Sequence, residues 1–220
     1  MNVKKLDKRY TVEKTHSISS IKLIHTNKYM AYKVILLGNS GVGKTSIFTR
    51  LTTNKFNTYD NVATIGGQFV SLVIDDKKLN LWDTAGQERF RSLIPFYIRG
   101  AQIVMIVIEA TVLSDTKKLT EEIEYWYNYA NSQQLAIKHE YLLVINKCDM
   151  IEDFTIPHQY LIDNRFYNII ILSCYTGYNV PLLRISLKEC VEKLEKMLEP
   201  QTFPDREEVS GSWLSFCSIL

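Results

Sequence analysis

The sequence predicts an α/β fold, a mostly parallel six-stranded sheet with one antiparallel strand and helices on both faces. Two observations carry that prediction. Short runs that are apolar almost throughout alternate with segments of helical spacing, the pattern of buried parallel strands joined by crossover helices. A glycine-rich turn, Gly38 to Thr45, also lies between the first apolar run and the first helical segment.

Taken in order, Tyr32 and Val34 to Leu37 form the first strand, and Lys44 to about Leu51 the first helix. Phe69 to Ile74 and Leu79 to Trp82 flank Asp75 and Asp76 and predict a hairpin, the source of the antiparallel strand. Further buried strands are expected at Ile103 to Ile108, Tyr141 to Ile145 and Ile169 to Leu172. Between the first two of these, Leu119, Ile123, Trp126 and Tyr127 repeat at helical spacing. The last helix, Pro181 to Leu198, carries Leu183, Leu187, Cys190, Val191 and Leu194 on one stripe and stops before Pro200.

Three segments follow from this reading. Residues 1–31 are polar and basic and read as a flexible arm, residues 32–199 form one domain, and residues 200–220 read as a flexible tail. The net charge of +2 over 220 residues supplies no global basic field, so nucleic acid is not an expected partner. The four cysteines include no CxxC pair and the histidines no zinc spacing, which speaks against disulfides and a structural metal. No run reaches the length of a membrane span, and the basic N-terminus lacks an apolar signal core, so a reduced, cytosolic protein is expected.

Gly38-Asn39-Ser40-Gly41-Val42-Gly43-Lys44-Thr45 matches GxxxxGK[ST] between a strand and a helix, where the motif has a mechanism. Backbone N–H groups around the glycines form an anion nest, and the helix N-terminus adds its positive dipole end. Lys44 brings a charge to the β and γ phosphates, and Thr45 a hydroxyl to Mg²⁺. The loop does not name the base, and kinases, ATPases and GTPases remain open at this point.

Asn146-Lys147-Cys148-Asp149 follows the strand ending at Ile145, at the edge where open α/β sheets bind ligands. A carboxylate at Asp149 accepts from N1–H and the exocyclic amine of guanine, whereas adenine would leave it unpaired. Trp82-Asp83-Thr84-Ala85-Gly86-Gln87-Glu88 starts at another strand end. There Asp83 orients Mg²⁺ through water, Gly86 donates its N–H to the γ phosphate, and Gln87 orients the attacking water. No resident arginine finger accompanies these residues, so slow intrinsic hydrolysis is expected.

With these three boxes in place, residues 32–198 resemble the Ras superfamily and, within it, the Rab family. The resemblance implies a P-loop NTPase of the small G-protein fold that binds GTP or GDP with Mg²⁺. Ala63-Thr64-Ile65-Gly66-Gly67-Gln68-Phe69 resembles the switch I signature, with Thr64 sensing the γ phosphate and Mg²⁺. Phe56 stands where the family places an aromatic on the guanine face, Ser46 joins the nucleotide contacts, and Ser173-Cys174-Tyr175 stands where Ser-Ala-Lys is usual. Phe69, Trp82 and Tyr97 match an aromatic triad read by effectors; without the family they read as core aromatics.

Other features are similar to the Golgi-associated subgroup, among them Glu88 to Pro95, Tyr97-Ile98-Arg99 and Gly177 to Val180. Glu109 replaces the usual aspartate after the fourth strand, Gly67-Gln68 replaces Val-Asp, and the stretch from Phe56 to Thr64 is one residue longer than usual. Cys217-Ser218-Ile219-Leu220 is a CaaX-type end whose terminal leucine favours geranylgeranylation of Cys217. The resemblance then implies an exchange factor, a GTPase-activating protein, a GDP-dissociation inhibitor and effectors as partners. It also implies a prenyl-mediated place on the cytosolic face of an endomembrane, such as the Golgi, with a soluble pool. The competing readings are a nucleotide-holding module with weak or no hydrolysis and a metabolic kinase, for which no acceptor site or lid arginines are seen.

Overall fold

The computed structural model describes residues 30–56, 64, 66–133, 138–152 and 155–198. The expected arm before residue 30, the tail after residue 198, and with them Cys217, lie outside the described residues, as do Ala63 and Ile65.

Among the described residues the order is β1 (Ala31–Leu37), α1 (Lys44–Thr53), β2 (Gly67–Ile74), β3 (Lys77–Thr84), α2 (Ile94–Ile98), β4 (Ile103–Glu109), α3 (Thr116–Ser132), β5 (Glu140–Asn146), α4 (His158–Leu161), β6 (Phe166–Ile171) and α5 (Val180–Leu198). Single 3-10 turns precede α2 and follow β4 and β5. The six strands lie in the order β2-β3-β1-β4-β5-β6. Only β2 runs antiparallel, paired with β3 from Gly67 opposite Thr84 to Ile74 opposite Lys77. This is the mostly parallel sheet that the alternation of strands and helices predicts, and it is the small G-protein P-loop fold that the family resemblance implies.

The apolar runs behave as two-sided strands because successive side chains point to opposite faces. On β1, Val34 and Leu36 enter one core with Ile47 and Leu51 of α1 and Leu183, Leu187 and Val191 of α5. Their neighbours Ile35 and Leu37 enter the other core, with Ile98 of α2 and Leu119, Ile123 and Trp126 of α3. Both faces of β1 are therefore buried. Each fully buried aliphatic side chain contributes about 1.5 to 3 kcal/mol relative to exposure, so the sheet is held from two sides by many such residues.

Most elements fall where the pattern puts them, with the hairpin longer at both ends. Two differences have a physical reason. The last strand begins at Phe166 rather than Ile169, because the polar Asn168 interrupts the apolar run yet turns its amide to Ser186 at 2.9 Å. The short helices α2 and α4 are too brief to show a period of 3.6 in sequence.

Strand β1 lies between β3 and β4, and the chain leaves β1 toward the α1 and α5 face but leaves β4 toward the α3 face. That reversal opens a crevice at the carboxyl ends of β1 and β4, the place where such sheets bind ligands.

Candidate functional site

The crevice holds a cleft of about 370 Å³, within the usual range for a small-ligand site. Its wall includes Ser40, Gly41, Gly43, Lys44, Thr45, Ser46, Phe56, Thr64, Gly86, Gln87, Asn146, Lys147, Asp149, Cys174 and Tyr175. Every residue assigned to the nucleotide from sequence is thus on the wall except Val42 and Ser173. Thr84 and Met150 also line it, and neither was singled out from sequence, although Met150 directly follows the Asp149 box.

The phosphate half is built on the turn from β1 to α1. Gly43 caps α1 with a left-handed φ of 95°, which a side chain rarely adopts. Lys44 is buried, and its Nζ donates to the carbonyls of Gly38 at 2.9 Å and Asn39 at 2.8 Å. Burial pushes its ammonium down to about 8, against the pull of the nearby Asp83 carboxylate. A side chain on Gly86 would run into the Lys44 ammonium and the Asn39 carbonyl, so glycine lets the β3 exit approach the phosphate loop.

Beside this loop three oxygens converge. Thr45 Oγ1 donates to Asp83 Oδ2 at 2.7 Å and lies 2.8 Å from Thr64 Oγ1, which itself reaches Asp83 Oδ2 at 3.3 Å. Two hydroxyls and a fully buried carboxylate form an all-oxygen donor set, which suits a hard divalent cation such as Mg²⁺. The chemistry of this set fits the ion. Thr64 reaches it from a segment whose residues 57–63 and 65 lie outside the described residues.

The base half is built on the exits of β5 and β6. Asn146 is buried and does not simply border the cleft: its Nδ2 donates to the Val42 carbonyl at 3.0 Å and its Oδ1 accepts from Cys174 N–H at 3.1 Å. Ser173 is likewise buried, and its hydroxyl donates to Asp149 Oδ1. Val42 and Ser173 therefore act from behind the wall, one through a carbonyl and one through a hydroxyl. Lys147, with a left-handed φ of 66°, places its Nζ 2.8 Å from Glu109 Oε2. Burial raises the Glu109 carboxyl, but Lys147 and the Thr111 hydroxyl outweigh it and hold the group below the usual carboxylate range. The departure from aspartate at 109 thus has a partner that the sequence did not reveal.

Phe56 and Tyr175 face each other across the mouth of the cleft, rings edge to face at 5.4 Å. Tyr175, standing where lysine is usual, is 64% exposed, whereas Cys174 beside it is buried and its thiol pushed up to about 12 by burial. Gln87 sits at the start of the 3-10 turn after β3, and its Oε1 accepts from Arg89 Nε at 2.7 Å. Outside the cleft, Phe69, Trp82 and Tyr97 form a continuous aromatic row with ring centroids 4.8 and 5.8 Å apart. Phe69 is half exposed, whereas Trp82 and Tyr97 are partly buried and pack against the α3-side core, so the row runs from the core to the surface and only Phe69 departs from the core position that its residue type suggests.

A buried lysine at a helix N-terminus, a trio of converging oxygens and a carboxylate braced by a serine hydroxyl, on the walls of one cleft in this fold, are the features of a phosphate-loop nucleotide-binding protein. Comparison with known proteins narrows the class. Residues 33–149 match the family model described as Roc, the Ras of Complex domain of DAPkinase. The chain is 37% identical to the Ras-related protein RABC1 of Arabidopsis thaliana over 174 residues, which cover 76% of this chain and 77% of that one. It is 38% identical to the Ras-related protein Rab11A of Lotus japonicus over 130 residues, 57% of this chain and 55% of that one. The chain belongs to the Rab family of Ras-related small GTPases. No described helix is long and apolar enough to cross a membrane, and no cluster of three or more His, Cys, Asp or Glu suited to a metal occurs among the described residues.

Proposed function

We propose that this protein is a guanine-nucleotide switch that binds GTP and GDP with Mg²⁺, hydrolyses GTP slowly without an activator, and presents its GTP form to effectors in vesicle trafficking. The observation that carries the reading is the convergence of Lys44, the Thr45–Thr64–Asp83 oxygens and Asp149 in one cleft. Lys44 and the amides of residues 40–45 hold the β and γ phosphates, and Asp149, fixed by Ser173, accepts from the guanine edge. The Lys147 stem lies along the base, held by Glu109. Mg²⁺, when bound, neutralises charge on the β and γ phosphate oxygens. Thr64 and Gly86 sense the γ phosphate, and its loss releases their loops. Gln87 orients the attacking water, for which its Oε1 must leave Arg89.

The Phe69–Trp82–Tyr97 row is the surface on which effectors read the nucleotide state. Exchange factors, activators and a GDP-dissociation inhibitor act on the same switches. A prenyl group on Cys217 anchors the protein to an endomembrane, the Golgi being the compartment the subgroup features favour, with a soluble pool.

One observation favours a second reading, a module that holds nucleotide without turning it over: in the described state Gln87 is tied to Arg89. Single-turnover hydrolysis of GTP by the full chain separates the two. Slow turnover that falls further in Gln87→Leu supports the switch; no turnover, with or without an activator, establishes the holding module.

A further inference from the structure

Arg50 belongs to none of the nucleotide motifs, yet its guanidinium ties together both walls of the base pocket. It stands in the last turn of α1, at the other end of the helix from Lys44. Its Nε donates to the Cys174 carbonyl at 2.9 Å, Nη2 to the Tyr175 carbonyl at 3.1 Å, and Nη1 to the Asn54 carbonyl at 2.9 Å. Those carbonyls belong to two separate chain segments. Asn54 follows α1 and leads directly to Phe56, while Cys174 and Tyr175 form the turn after β6.

The turn after β6 is already held on its inner side. Cys174 N–H donates to Asn146 Oδ1, Ser173 Oγ donates to Asp149, and Gly177 N–H closes the turn on the Ser173 carbonyl at 2.9 Å. Arg50 supplies the outer side. Gly177 takes the left-handed φ of 86° that the turn needs, and it lies beside the guanidinium: a Cβ there would stand in ordinary contact with Arg50 Nη2 at 3.4 Å. The result is seen at the tips of the two segments, where the Phe56 and Tyr175 rings meet edge to face at an interplanar angle of 87°.

We propose that Arg50 is a positioning residue for the base: its planar fork fixes the Phe56 and Tyr175 segments against each other and so sets how slowly a guanine nucleotide leaves. The proposal rests on the guanine reading above and adds a determinant outside its motifs. Arginine suits the task because a rigid fork reaches three carbonyls in fixed directions, whereas a lysine ammonium is a point charge on a flexible stem. Arg184 provides an internal control. It donates to the Leu51 carbonyl at 2.6 Å and braces the same end of α1.

The test is the dissociation rate of fluorescent GDP from the full chain, with Mg²⁺ present, chased by unlabelled GDP. Loss of charge-assisted bonds to the turn is expected to speed release about tenfold in Arg50→Ala. Arg50→Lys keeps the charge and loses the fork, and is expected to release faster than wild type as well. Arg184→Ala stays within about twofold of wild type, and the single-turnover hydrolysis rate of bound GTP in Arg50→Ala does the same, since the phosphate half is untouched. If Arg50 acts through the aromatic pair, Arg50→Ala with Tyr175→Ala releases GDP no faster than the quicker single variant. The proposal is overturned if Arg50→Ala releases GDP at the wild-type rate, if Arg184→Ala speeds release equally, or if the two substitutions multiply. Wild-type protein that fails to bind GDP overturns the guanine reading itself, and the proposal with it; wild-type binding with an unchanged Arg50→Ala rate overturns the proposal alone.

Discussion

Asn146 donates its side-chain amide to the main-chain carbonyl of Val42 at 3.0 Å, joining the base half of the site to the phosphate loop across the crevice. The same amide accepts from Cys174 N–H. One buried side chain therefore links three loops that come from β1, β5 and β6, and its first task is to hold the cleft together.

Asn146→Ala is accordingly expected to lower the stability of the nucleotide-free protein as well as its affinity. It leaves the buried Val42 carbonyl and Cys174 N–H without their partner, at a cost of about 1 to 3 kcal/mol. For a domain of this size each kcal/mol lowers Tm by roughly 2 to 4 °C. Thermal unfolding without nucleotide checks this; an unchanged Tm would mean that Asn146 serves the ligand only.

The Thr45, Thr64 and Asp83 oxygens make a further expectation. If they hold Mg²⁺ against the phosphates, chelation by EDTA speeds GDP release by at least about a hundredfold, since metal charge stabilisation is worth several kcal/mol. In Asp83→Ala release is fast at the outset and EDTA adds little. An EDTA response in Asp83→Ala as large as in wild type would place the cation elsewhere.

His139 connects pH to stability away from the site. It is buried, and its Nδ1 lies 2.8 Å from the Ala101 carbonyl, the position of a neutral ring donating through Nδ1. Burial lowers its pKa below the ordinary 6.5, and the Ala101 carbonyl opposes that shift only in part. The unfolded chain therefore takes up a proton that the folded one refuses. The contribution is fully present above pH 6.5 and is lost as pH falls below it, toward the folded pKa. Urea unfolding at pH 7.5 and about 5.5 is expected to show a larger loss in wild type than in His139→Asn. Equal losses would assign the pH dependence to other groups.

What was legible in the sequence is what chemistry holds to fixed spacing. Lys44 and Thr45 must follow the glycines at once, and Asp149 must stand three residues beyond Asn146, so the short boxes announced the cleft. Strands β1, β4 and β5 were legible because both of their faces are buried, which leaves nearly continuous apolar runs. Arg50 gave no signal, because two of its three partner carbonyls lie more than a hundred residues away and a carbonyl is the same in every residue type. The Glu109–Lys147 pair was hidden for a related reason: it joins the ends of two adjacent parallel strands, and only the register brings them together. Phe69, Trp82 and Tyr97 have core residue types, and only the fold shows that Phe69 is half exposed on the edge strand β2.

The most direct test of the guanine reading is competition between nucleotides for the Mg²⁺-loaded cleft. Fluorescent GDP bound to the wild-type chain should be displaced by GDP and left in place by ADP at a thousandfold higher concentration, on the order of the discrimination that a site built to bond one base edge achieves. Asp149→Ala should erase most of that preference. Displacement by ADP as effective as by GDP would contradict the assignment of Asp149 to guanine, and with it the switch.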